Sequence, residues 1–157
     1  MTLEPAVVIV GADGSLDAEA ALHWAASYVD AANGRLLLVT AWTWPTFQDV
    51  PIQYGRFDPR KGAQELVEHA AAASGLPADR VQTQVFHGDP RKVLVEVSEE
   101  ADLLVLGAGG IRSVQGRLMG SVASYCVRHA ACPVLVVRAR DERPTPRDAE
   151  LTAVTTP

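Results

Sequence analysis

Asp102–Leu106 reads DLLVL and runs directly into Gly107-Ala108-Gly109-Gly110; Gly120-Ser121 follows further on. A short unbroken apolar run that ends in glycines reads as a strand buried on both faces, opening into a loop. Beyond that loop, Ser121–His129 carries a helical pattern, and Val134–Val137 (VLVV) after Pro133 is a further buried strand. Toward the N-terminus the same alternation recurs. Val81–Phe86 (VQTQVF) alternates polar and apolar, which suits an edge strand with one wet face, while Leu36–Ala41 and Ala6–Val10 (AVVIV) are continuous apolar runs. Helical patterns fill the gaps. The first, from Ser15 to Ala32, is capped by Ser15 or Asp17 and stops at Asn33-Gly34. The second covers Lys61–Ser74 before Gly75-Leu76-Pro77, and the third covers Arg91–Glu100 behind the turn His87-Gly88-Asp89-Pro90.

Buried strands separated by helices imply an α/β fold, a mostly parallel sheet with helices on both faces. At 157 residues, 48% of them apolar, the chain has the length of one domain and enough apolar surface for a core. The segment from Arg138 onward is charged, carries Pro144, Pro146 and Pro157 and shows no apolar periodicity, so residues 139–157 are expected to be a flexible tail behind a domain at 1–138.

The 14 Lys and Arg against 19 Asp and Glu give a mildly acidic protein. That balance argues against nonspecific binding to nucleic acid or an anionic membrane. No apolar run approaches the roughly 20 residues of a bilayer-spanning helix. No basic segment with a long apolar stretch stands at the N-terminus, so no secretory signal is expected. Two cysteines, Cys126 and Cys132, fit a reducing cytoplasm better than a disulfide framework.

Two connections are long for a compact domain: Trp42–Pro59, with Trp42, Trp44, Phe47, Tyr54 and Phe57, and Gly107–Gly120. The aromatic residues of the first read as loop packing rather than a stacking platform. The second lies where ligands bind in open parallel sheets, outside the carboxyl ends of the strands. Glycines permit close backbone approach, and a helix beginning at Gly120-Ser121 offers amides and positive potential to a phosphate. The competing explanation is a tight turn with Ser121 as an ordinary cap. Asp13 beside Gly14 reads equally as a turn or capping residue. Taken alone, Arg112 and Arg117 read as solvated loop charges more readily than as ligand contacts, and His23, His69, His87 and His129 lack metal-ligand spacing.

Neither GxxxxGK[ST] nor GxGxxG is present. The spacing Gly107-x2-Gly110-x9-Gly120-Ser121 instead resembles the signature of ATP-binding universal stress proteins, as do VGADGS (Val10–Ser15), HGDP (His87–Pro90) and CPVLVV (Cys132–Val137). The resemblance runs from about Val7 to Arg138. It implies a Rossmann-like, open five-stranded sheet in the order 3-2-1-4-5. It implies that Gly11, Ala12 and Asp13 contact the adenosine moiety. Ala41, usually a larger aliphatic residue, would line the adenine. Leu106, Gly107, Ala108 and Gly110 would surround ribose and phosphates, Gly120, Ser121 and Val122 would cradle phosphate, and Arg112 would neutralise a terminal phosphate. The implied ligand is ATP, AMP or cyclic AMP, with Mg²⁺ arriving on the phosphates. The implied assembly is a homodimer paired through Val134–Val137, and the implied role is a cytoplasmic stress-response regulator. An ATP-using enzyme and a dimeric scaffold with a vestigial site are the alternatives. No catalytic base or second-substrate signature supports the first, and the complete glycine signature weakens the second.

Overall fold

The computed structural model describes residues 5–44, 58–110 and 118–140. Strands β1 (Val7–Gly11), β2 (Arg35–Trp42), β3 (Val81–His87), β4 (Leu103–Gly107) and β5 (Val134–Val137) form one sheet in the order β3-β2-β1-β4-β5. Every pairing is parallel. Parallel neighbours need crossovers, and α1 (Leu16–Ala31), α2 (Pro59–Ala73), α3 (Pro90–Val97) and α4 (Ser121–His129) supply them.

The alternation of side chains along the central strands divides the core into two layers. Val8, Val10, Leu36, Leu38 and Val105 pack under Ala21, Leu22, Ala25 and Val29 of α1, with Ala70 and Ala71 of α2 alongside. Ile9, Val39, Leu104 and Leu106 pack under Val93 and Leu94 of α3 and Cys126 of α4. The chain passes from β1 out to β2 and β3, then returns to lay β4 and β5 on the other side of β1. The β1/β4 boundary is therefore the point where the winding reverses, and a crevice opens at the carboxyl ends of these two strands.

Local chemistry accounts for the element ends. Ser15, rather than Asp17, caps α1, its hydroxyl accepting the Ala18 N–H at 3.1 Å. At the other end Asn33 adopts φ 50°, with Asn33 N–H donating to Asp30 O and Gly34 N–H to Val29 O, the paired bonds of a Schellman motif. The last turn of α1 has no basic residue of its own. Arg80, at the end of the single 3₁₀ turn before β3, reaches in instead. Its guanidinium donates to Val29 O at 2.6 Å, Gly34 O at 3.1 Å and the Asp30 carboxylate at 3.2 Å.

Strand β2 extends one residue beyond Leu36–Ala41 at each end. Regular helix α3 stops at Val97, and Ser98–Glu100 tighten into a 3₁₀ turn, shorter than the Arg91–Glu100 helix expected. The cause is buried Ser98, whose hydroxyl donates to Val95 O and accepts the Ala131 N–H. Phe47, Tyr54 and Phe57 of the long connection, Arg112 and Arg117 of the glycine loop, and the prolines of the C-terminal segment lie outside the described residues. Among the described residues no helix is long and apolar enough to cross a membrane.

Candidate functional site

Three stretches meet at the crevice. The first follows β1. The Ala12 N–H donates to Val39 O at 2.8 Å and its carbonyl accepts the hydroxyl of Thr40, which fastens the turn to β2. Gly14 sits at φ +80°, a conformation that favours glycine. Asp13 is half-buried, and its Oδ1 accepts the Ser15 N–H at 2.9 Å in a local turn. Its Oδ2 points at the glycine loop, 3.2 Å from where a Cβ on Gly110 would stand.

The second stretch follows β4. A Cβ on Gly107 would lie 2.6 Å from the Ala18 nitrogen and 2.7 Å from the Asp17 carbonyl carbon, so this glycine lets the first turn of α1 rest on the strand end. Gly109 is held from both sides. Its N–H donates to Asp17 Oδ2 at 2.8 Å, and its carbonyl accepts the Ser15 hydroxyl at 3.2 Å. Asp17 Oδ1 takes the Ala139 N–H at 2.8 Å, so one carboxylate fixes both the loop and the chain leaving β5.

The third stretch is the start of α4. Gly120 N–H donates to Ala108 O at 2.6 Å, closing the two ends of the glycine loop on each other. Side chains of Ser15, Asp58 and Asp89 cap α1, α2 and α3, but the cap position of α4 is Gly120, which offers none. The first turn of α4 carries no acidic residue either. A helix N-terminus left without a side-chain cap presents its first amides and the positive end of its dipole to an anion.

These stretches wall a cleft of about 390 Å³. Gly11, Ala12, Asp13, Ala41, Leu106, Gly107, Ala108, Gly110, Gly120, Ser121 and Val122 all line it, whereas Arg112 lies outside the described residues. Sequence reading missed part of the wall: Thr40 and Trp42 at the end of β2, and Pro59, Gly62, Ala63 and Leu66 on one stripe of α2. The i, i+3, i+4, i+7 spacing of that stripe was visible, but nothing local says that it faces a cavity. Asp13 is the one charged side chain lining the cleft among the described residues. A second groove of about 410 Å³ lies against β2 and β3 beside α3, with Arg35, Gln82, Gln84, Glu96 and Glu100 in its wall, away from the glycine loop.

Other reactive groups do not gather. Among the described residues no three His, Cys, Asp or Glu side chains are grouped to hold a metal. Burial pushes the Cys126 thiol up to about 11 and raises that of Cys132, and both are free, so neither is a thiolate at neutral pH. Arg91 pairs with Asp89, lowering the Asp89 carboxyl chiefly through their side-chain hydrogen bonds, while Asp89 caps α3.

Known proteins share this architecture. The profile of the universal stress protein family matches residues 6–138. A universal stress protein of Mycobacterium tuberculosis H37Rv is 35% identical over 144 residues, covering 85% of this chain and 48% of the relative. The chain thus spans about half the length of the curated relatives it matches. Among solved structures, a universal stress protein in complex with cAMP aligns with a TM-score of 0.66 at 28% identity, over 88% of this chain and 100% of that one. A family protein of Arabidopsis thaliana with AMP bound aligns with a TM-score of 0.60 at 19% identity, over 92% and 99% of the two chains, a likeness of fold. The match over residues 6–138 and the shared sheet order lead to one conclusion: the chain belongs to the universal stress protein family.

Proposed function

We propose that this chain is an adenine-nucleotide-binding regulatory protein, with ATP or AMP lying in the cleft between the carboxyl ends of β1 and β4. The observation that carries the reading is the convergence of all eleven described candidate residues on one cavity, with the N-terminus of α4 at its wall and no side chain capping it. In this reading Asp13, oriented by the Ser15 N–H, meets the adenosine moiety, and Ala41 lies against the base. Gly107–Gly110 surround the ribose and α-phosphate, and the amides of Gly120, Ser121 and Val122 with the Ser121 hydroxyl receive the terminal phosphates. Arg112 neutralises their charge. Mg²⁺ rides on the phosphates rather than on a protein cluster. The relative solved with cAMP supports the ligand class. Binding rather than turnover is the role we propose, on the ground that the sequence carries no signature of a catalytic base or a second-substrate site.

The reading extends to a cytoplasmic stress-responsive protein, supported by the family, and to a homodimer. The dimer is supported by the position of β5 at the sheet edge. The test is mass spectrometry of small molecules released from protein purified without added nucleotide, followed by calorimetry with ATP, AMP and cAMP. An adenine nucleotide released, or bound at micromolar concentration, is the expected result. No such molecule and no heat at millimolar ligand overturns the reading.

A further inference from the structure

The last residue of β2, Trp42, is half-buried and lines the cleft immediately beyond Ala41. Its ring is held from two directions. The His87 imidazole, its partner in the β2–β3 register, lies 4.5 Å away at 47°, and the Trp44 ring meets it edge-on at 5.7 Å and 83°. The Gly88 N–H donates to Trp42 O at 2.9 Å, fixing the backbone as well. An aromatic ring so clamped loses little freedom when a second flat ring stacks on it.

The stripe of α2 that shares this cleft contains an exposed glycine that no described contact requires. Gly62 lies inside the helix, where glycine is weaker than alanine. It has no positive φ, and among the described residues no heavy atom lies within 4 Å of a Cβ built on it. Neither backbone conformation nor a described neighbour accounts for it. It is solvent-exposed and lines the cleft together with Trp42, so a large side chain there would crowd the edge of the cleft.

We infer that Trp42 is the stacking face for the nucleobase and that Gly62 keeps the adjoining space open for it, which makes this end of the cleft selective for a purine. The inference rests on the nucleotide-binding reading above. A purine covers more of an indole than a pyrimidine does, and base–aromatic stacking carries sequence-tolerant but area-dependent affinity.

Calorimetry on the full chain with ATP and CTP tests this, using wild type, Trp42→Ala, Trp42→Phe and Gly62→Leu. Trp42→Ala is expected to weaken ATP about tenfold or more and to narrow the preference for ATP over CTP, and Trp42→Phe to restore most of both. Gly62→Leu is expected to weaken ATP at least as much while keeping or raising the thermal midpoint, since it removes a helix glycine. That variant carries the test if Trp42→Ala does not fold. Wild-type ATP affinity in Gly62→Leu, or in a folded Trp42→Ala, overturns the inference and leaves the nucleotide reading standing. A wild type that binds neither nucleotide overturns both.

Discussion

The Asp17 carboxylate accepts the backbone N–H of Gly109 at 2.8 Å, so the first turn of α1 holds the glycine loop from 92 residues away in sequence. Its second oxygen holds Ala139 at the same distance. Asp17→Ala leaves two amides without their carboxylate partner. A loss of about 1–3 kcal/mol is expected, from hydrogen bonds to a charged acceptor. Nucleotide affinity falls with it, because the loop is no longer positioned. Urea unfolding and calorimetry check the two effects; intact affinity would mean that the Ser15 contact to Gly109 suffices.

Gly120→Val is expected to lower ATP affinity at least about tenfold while circular dichroism keeps its helical signal. The cause is specific. A Cβ at Gly120 would stand 3.3 Å from Ala108 O, so the branched side chain presses on the loop at the point where Gly120 N–H closes it. Gly120→Ala should do the same more weakly. Unchanged ATP affinity in a native-like Gly120→Val variant refutes the phosphate cradle.

Asp13 has both a turn bond and a free run at the cleft: one oxygen accepts the Ser15 N–H, and the residue lines the cavity. Asp13→Ala should therefore lower stability by about 1 kcal/mol or less and weaken ATP clearly. A larger stability loss with normal ATP binding would assign Asp13 to the turn alone.

Pro133 O and Val137 O accept amides from Leu104 and Ala108 of the β4 side. With that alternation, Val134 and Val136 turn their N–H and C=O groups toward the open edge. Val136→Pro removes an outward donor and spares the bonds to β4. Light scattering is expected to show a dimer for wild type and a shift toward monomer or aggregate for the variant. A monomeric wild type at micromolar concentration refutes pairing through β5, and a dimer indifferent to the proline moves the interface elsewhere.

Cys126 is fully buried and Cys132 half-buried, and burial raises both thiols. A thiol reagent at neutral pH should label Cys132 slowly and Cys126 only on unfolding. Equal fast labelling of both would contradict the packing of α4 on the sheet.

The strands were legible because each is short, apolar and bounded by turn residues. β4, β5 and α4 match their sequence reading closely, and β2 differs by one residue at each end. The glycine loop was legible through its spacing as a candidate ligand site, and its described residues line the cleft. Its glycines, however, do more than the spacing says. Gly107 makes room for α1, and outside the loop a Cβ on Gly11, at the end of β1, would strike Leu106 Cδ2 at 2.7 Å. These are contacts between distant segments, and a sequence carries no local mark of them. Asp17 illustrates the limit. At a helix start it reads as a cap or a favourable first-turn charge, and both of its bonds are made more than ninety residues away.

Arg80 carries a consequence for how the molecule opens. The carbonyls at the end of α1 are finished by a guanidinium that arrives only when β3 is in place. The last turn of α1 and the outermost strand on that side are therefore expected to exchange their amide hydrogens as one cooperative unit, although more than fifty residues separate Val29 from Val81. Peeling β3 from the sheet is expected to fray α1 from its C-terminal end and to leave the N-terminal turn, with Ser15 and Asp17, bound to the glycine loop. The edge of the sheet and the floor of the cleft are thus fastened separately, at opposite ends of the same helix.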